Sequence, residues 1–193
     1  MKKLLILTVI VISFTTIGLA QYGLFSPVTI YQGKTGPFLM VYVEHIGSYN
    51  ESLNVSEYIY RQLKNDKSIK IIKGFGLYND DFRHIQNDTL HSITGCIINF
   101  QREEKLIDIK KTYIVNTFPE SQSVVAEFPY NGTLSILIGS IKVYPKLHRT
   151  LTYLGYGSVP VIEIYDSEAK KIRYIAPVNI KHKIFQAFLK KNS

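Results

Sequence analysis

Ser123-Val124-Val125-Ala126-Glu127-Phe128 runs directly into Pro129-Tyr130-Asn131-Gly132 and then Thr133. The first six residues are rich in β-branched and aromatic types and read as a strand. Pro129 to Gly132 ends it. From there Leu134, Leu137, Ile141, Tyr144, Leu147, Leu151 and Leu154 recur at three- and four-residue steps. That spacing predicts a helix from near Thr133 with this stripe turned to the core. Pro145 falls inside the stripe and is expected to kink the helix or restart it. Gly155 and Gly157 stop it. Residues 159–165 and 171–178 then read as a hairpin turned by Asp166-Ser167-Glu168-Ala169. The second half of the chain is therefore strand, helix, strand, strand.

The first half has the same order. Phe38 to Ile46 reads as a strand, broken by Gly47-Ser48-Tyr49-Asn50. Ser48 and Glu51 have the spacing of a capping box. The helix that follows carries Leu53, Tyr60 and Leu63 near one face and ends around Asn65-Asp66. Ile69 to Tyr78 and Ile93 to Gln101 read as two strands around a polar segment, Asn79 to His91. Two short matches fall at equivalent places. Tyr49-Asn50-Glu51-Ser52 parallels Tyr130-Asn131-Gly132-Thr133, and Gly76-Leu77-Tyr78-Asn79 parallels Glu163-Ile164-Tyr165-Asp166. The expected fold is α+β: duplicated β-α-β-β modules at about residues 27–101 and 122–178, within one domain spanning 27–178. They form an antiparallel sheet with helices on one side and a concave seam between the copies.

Lys2 and Lys3 precede an uncharged apolar stretch from Leu4 to Ala20. Residues 1–20 are thus a signal peptide cut after Ala20, with small residues at the cleavage site, or a retained membrane anchor. Either outcome places the domain on the non-cytoplasmic side, as a membrane-anchored or a secreted or periplasmic protein. At the other end, residues 179–193 form a basic amphipathic tail, with Ile180, Ile184, Phe185, Phe188 and Leu189 on one helical face. It packs on the sheet or lies on a membrane.

Composition excludes several classes. Apolar residues make up 46% and charged residues 20%, the balance of a folded globular chain. Net charge is +8, but the basic residues are scattered, with no zinc spacing, aromatic RNA-binding signature or recognition helix, so no nucleic-acid partner is expected. The single cysteine, Cys96, lies in an apolar run and is expected to be a buried structural thiol. No metal or cofactor is expected. The five histidines show no spacing to a Ser, Cys or Asp that would assign a catalytic residue. Asp80 to Ile85 has the crude form of a short acidic-aromatic docking motif, a pattern that arises by chance.

Several segments together are similar to a known family. They are Val124 to Tyr130, Leu134-Ser135-Ile136, Val143 to Leu147, Pro160 to Tyr165, and Ala176-Pro177. This set resembles the GyrI-like small-molecule-binding domains, and within them the membrane-anchored branch that includes an ER-phagy receptor. The resemblance implies a GyrI-like fold in which an acidic residue near the module seam receives cationic, apolar ligands. Glu163 matches that position, with Tyr165, Tyr130, Tyr49 and Tyr42 as wall residues. The function so implied is a non-catalytic ligand-binding or scaffold domain that takes an apolar or cationic small molecule. Two alternatives stand beside it. One is a protein-interaction adaptor at a membrane, its partner unidentified. The other is a GyrI-like hydrolase in which Glu163 acts as general base.

Overall fold

The structure, a computed structural model, describes residues 1–65, 69–78, 90–100 and 103–180. The docking motif of Asp80 to Ile85 and the tail beyond Ile180 lie outside the described residues. The elements are α1 (Lys2–Gln21), β1 (Thr29–Thr35), β2 (Phe38–Gly47), α2 (Tyr49–Lys64), β3 (Ile69–Tyr78) and β4 (Leu90–Phe100). They continue with α3 (Glu103–Thr112), β5 (Ile114–Phe118), β6 (Ser121–Pro129), α4 (Thr133–Tyr153), β7 (Val161–Asp166) and β8 (Lys171–Pro177). Every described strand joins one eight-stranded antiparallel sheet. The α+β class expected from the sequence is the class observed.

The strand order is β1-β6-β8-β7-β3-β4-β2-β5. It is a palindrome: exchanging β1 with β5, β2 with β6, β3 with β7 and β4 with β8 returns the same order reversed. The pseudo-twofold axis passes between β3 and β7, where Gly76 lies directly opposite Glu163. These two residues begin the paired motifs noted above, so the short sequence match marks topologically equivalent places.

Three elements escaped the sequence pattern: β1, α3 and β5. The two extra strands cross between modules. β1 pairs with β6 of the second module, and β5 pairs with β2 of the first. The register is continuous across both: Thr35 is opposite Ser121, and Phe38 is opposite Phe118. The β1–β2 and β5–β6 segments are thus two long bent strands that clasp each other. Their bends fall at Gly36-Pro37 and Pro119-Glu120, where Pro cannot supply a ladder N–H.

This clasp curls the sheet and gives it two different faces. The inner face holds Met40, Tyr42, Phe75, Leu77, Ile93, Ile97, Phe118, Val125, Ile162, Ile164 and Ile175, drawn from every strand but β1. The outer face carries the helices. α4 covers Val124, Ala126, Phe128, Ile172 and Tyr174, and α2 with α3 covers Val41, Cys96 and Ile98. Cys96 is fully buried there, as expected, and burial pushes its thiol up to about 12.

The helix boundaries follow local chemistry. Ser48 and Glu51 form the expected capping box, with Ser48 N donating to Glu51 Oε2 at 2.8 Å and Glu51 N donating to Ser48 Oγ at 3.3 Å. α2 buries Ser52, Ser56, Ile59 and Leu63, while Tyr60 turns outward, against expectation. α4 runs unbroken through Pro145, which lies on the exposed side of the helix. Its stripe is also corrected. Tyr144, Leu147 and Leu151 face the core with Ile136 and Val143, but Leu134, Leu137 and Ile141 point away from it. Spacing alone cannot say which of two apolar faces is covered. α4 closes on Gly155, whose φ of +80° suits a left-handed cap.

α1 is long and apolar enough to cross a membrane. It ends in the same kind of cap, with Gly23 N donating to Ala20 O and Leu24 N to Leu19 O. The cap is docked on the domain. Leu19 and Tyr22 pack on the α4 core, and a ring of Phe128 fills the space above the Gly23 backbone. Asn131 Nδ2 donates to Gln21 O at 2.6 Å, and Lys142 Nζ donates to the carbonyls of Gly23, Leu24 and Ser26.

Candidate functional site

β7 alternates strictly. Ile162 and Ile164 point into the curled sheet, so Val161, Glu163 and Tyr165 must point to the helix side. Glu163 therefore lies at the centre of the outer face, on the pseudo-twofold axis and between α2 and α4. It is 0% exposed. No Lys, Arg or His pairs with it among the described residues.

Three tyrosine hydroxyls donate to its carboxylate instead. Tyr144 from α4 reaches Oε1 at 2.6 Å. Tyr49, the first residue of α2, reaches Oε2 at 2.7 Å, and Tyr165, two residues along β7, reaches the same oxygen at 2.8 Å. Tyr78 at the end of β3 extends the network, 3.4 Å from the Tyr165 hydroxyl and 3.2 Å from Ser52 Oγ. Tyr174 on β8 stands opposite Glu163 in the ladder, its ring edge-on to Tyr144 at 5.5 Å. The Tyr174 hydroxyl is buried without a hydrogen-bond partner and points at Gly139 of α4, where a Cβ would lie 2.5 Å from it.

The rings repeat the fold symmetry. Tyr49 packs on Tyr78 with centroids 4.9 Å apart, and Tyr130 packs on Tyr165 at 6.2 Å. Tyr49 and Tyr130 lie at the two strand-to-helix junctions, and Tyr78 and Tyr165 lie at or next to the ends of β3 and β7. The symmetry breaks at the axis. The first module supplies Gly76 where the second supplies Glu163, and Gly76 leaves the space that the Tyr78 ring enters. One carboxylate thus serves both halves of the ring cluster.

Burial is the first cause acting on Glu163 and raises its pKa above the usual carboxylate value. The hydroxyls of Tyr144, Tyr49 and Tyr165 pull the other way and do not cancel it. A hydrogen bond to a charged group contributes roughly 1.5–3 kcal/mol, while burying an ion costs several kcal/mol. The site is short of positive charge when Glu163 is ionised. Burial, and then the Glu163 charge, hold the phenols of Tyr49, Tyr144 and Tyr165 well above 10, so they remain neutral donors.

Of the residues the sequence points to, the structure brings Tyr49 and Tyr165 within hydrogen-bonding distance of Glu163. Tyr130 joins at one remove, against the Tyr165 ring, and does not touch the carboxylate by any described hydrogen bond. Tyr42 is elsewhere. It lies on the inner face of the sheet, edge-on to Phe75 at 6.4 Å, because its β2 neighbours Val41 and Val43 take the helix side. Tyr144, Tyr78 and Tyr174 carry no sequence signal that by itself assigns them to the site. The sequence predicts a concave seam with Glu163 as its acidic residue; in the structure the rings close over Glu163, and Tyr49, Tyr78, Tyr144 and Tyr165 are each less than a tenth exposed. Among the described residues no group of His, Cys, Asp or Glu is arranged to hold a metal.

No family model and no curated protein matches the chain. Solved structures do. The EcmrR C-terminal domain superposes with a TM-score of 0.57 at 11% identity, over 80% of this chain and 99% of that one. SAV2435 bound to tetraphenylphosphonium superposes with a TM-score of 0.53 at 12% identity, over 78% of this chain and 94% of that one. At such identities the likeness is one of fold, and it agrees with the GyrI-like arrangement implied by the sequence. The resemblance to the ER-phagy-receptor branch finds no support in these comparisons.

Proposed function

We propose that this domain binds a lipophilic cation against Glu163, with the tyrosines as aromatic walls. The observation that carries this is the buried, charge-deficient carboxylate held by Tyr49, Tyr144 and Tyr165. A neutral guest leaves that deficit in place. A delocalised cation removes it, and the electron-rich faces of the phenol rings add cation–π attraction. SAV2435, of like fold, takes such a cation. Entry requires ring displacement. Tyr49 and Tyr144 belong to different helices, so moving either ring opens the carboxylate from the helix side. In the same proposal α1 is retained as a membrane anchor, because its terminal cap is docked on the domain core rather than left as a free linker.

Titration of the full chain with tetraphenylphosphonium, with neutral triphenylphosphine oxide as the comparison, tests the binding. Saturable binding of the cation that Glu163→Gln weakens at least about tenfold supports the proposal. Equal binding of the two probes, or of the two proteins, refutes it. Intact mass of the protein recovered from membranes tests retention of residues 1–20.

A further inference from the structure

Over its first half, α4 is apolar on both sides. Ile136, Val143 and Tyr144 face the core. On the outward side Leu134 is 37% exposed, Leu137 47% and Ile141 68%. Pro145 continues that side, and beyond it the outward positions turn polar at His148 and Thr152. The exposed aliphatic residues of α4 are therefore confined to its first half, and the exposed Tyr153 ends the helix. The first turns are where α1 leaves the domain. The Asn131 bond to Gln21 and the Lys142 bonds to Gly23, Leu24 and Ser26 bind the junction alongside them, and Phe25, between two of those carbonyls, is 68% exposed. Lys146 and Arg149 line one flank of the helix, exposed beyond the engaged Lys142.

From this placement we infer that Leu134, Leu137, Ile141 and Phe25 seat in the headgroup layer of the bilayer that α1 crosses. The inference rests on the anchor reading of α1. An apolar patch this contiguous on a water-soluble surface marks a contact. The occupant follows from continuity: an apolar helix of 20 residues joins the patch through a junction fixed by side-chain hydrogen bonds, so the membrane is already at hand. Amphipathic helices of this kind bury their apolar side roughly 5–10 Å into the headgroup–acyl boundary, and basic residues on the flank meet lipid phosphates. The polar second half of α4 then points away from the lipid, and the Glu163 site stands directly behind the docked turns. An apolar cation partitioned in the membrane reaches Tyr144 without crossing bulk water.

The test uses the full chain in phosphatidylcholine vesicles, with an environment-sensitive fluorophore on Ile141→Cys, on Leu137→Cys, or on Thr152→Cys as the control. Cys96 is buried and takes no label under native conditions. Vesicle flotation is read on every sample. The expected result is flotation of all three, with loss of most emission at positions 137 and 141 to a headgroup-level lipid quencher and none at position 152. Flotation with aqueous signals at 137 and 141 overturns the docking face and leaves the anchor standing. Failure to float removes the anchor, and the docking inference with it. An apolar signal at 141 that ignores the lipid quencher and grows with protein-to-lipid ratio assigns the patch to a second copy of the chain and also overturns the inference.

Discussion

Glu163 and Gly76 face each other across the central β3–β7 ladder, at equivalent positions of the two modules. The pseudo-symmetric fold therefore carries a carboxylate on one side of its axis and no side chain on the other. A second acid there would have set two like charges together in a dry site, raising the pKa of at least one.

The first prediction concerns Glu163→Gln. The amide fills the same space without a charge to desolvate, so the variant is expected to melt higher at neutral pH. A gain of about 1 kcal/mol corresponds to roughly 2–4 °C for a domain of this size. The same change is expected to weaken tetraphenylphosphonium binding at least about tenfold, equivalent to about 1.4 kcal/mol. Calorimetry and thermal melts on one preparation read both. Opposite signs for stability and binding are the mark of a functional strain.

The second concerns pH. The folded Glu163 holds its proton to a higher pH than the unfolded carboxyl, which titrates at about 4.3. Between the two values the folded state binds more protons, so this group's contribution to stability is present at low pH and falls as pH rises through the window. Cation binding runs the other way. It is full above the raised pKa and is lost as pH falls through it, because the proton and the cation compete for one carboxylate. Titrations across the acidic range should show this slope in the native chain and a flat response in Glu163→Gln.

The third separates the tyrosines. Tyr144→Phe and Tyr49→Phe each remove a donor from Glu163, at a cost of about 1.5–3 kcal/mol to its ionised form. Each should move the pH profile of cation binding to higher pH. Tyr174→Phe removes a buried hydroxyl that has no partner and should leave stability unchanged or raise it by about 1 kcal/mol. Denaturant melts at two pH values distinguish the groups.

The fourth tests the fold. A Cβ on Gly95 would collide with the backbone of Val41 and Tyr42 on β2, which cannot swing aside as a side chain can. Gly95→Ala is expected to cost about 3 kcal/mol. Gly76→Ala meets only the ring and hydroxyl of Tyr78 and should cost less. Urea midpoints rank the two.

The fifth concerns the α1 junction. Lys142→Met keeps the packing on Phe128 and removes three bonds to the carbonyls of Gly23, Leu24 and Ser26. Limited proteolysis should then cut between residues 22 and 27 several-fold faster, with the domain itself intact.

Much of this was legible in the chain. Long runs such as Ile69–Tyr78 alternate or are uniformly apolar, so hydrophobic patterning finds them. β1 and β5 do not. Thr29–Thr35 holds Thr, Gln, Gly and Lys, and Ile114–Phe118 is five residues long, because each contacts its sheet through one long-range partner and needs little apolar surface. α3 is similarly polar and buries Ile109. In the site, Tyr174 could have been found from the hairpin alone, since a turn between Asp166 and Lys171 sets Tyr174 opposite Glu163. The helical spacing of Tyr144 marks it as core-facing, and it is buried, but no local pattern says which core residue a helix will meet. Tyr42 was misplaced for the converse reason. A strand buried on both faces gives no alternation to decide its side.

The clasp of β1–β2 with β5–β6 makes the repeat inseparable. Each half lends its leading strand to the other, so a chain cut between residues 101 and 103 leaves both fragments with open ladders and solvent-facing apolar rows. Neither fragment is expected to fold alone, yet the two should reassemble when mixed, like the parts of a split reporter. A single module of this kind, taken alone, would have to meet a second copy of itself to satisfy the same strands.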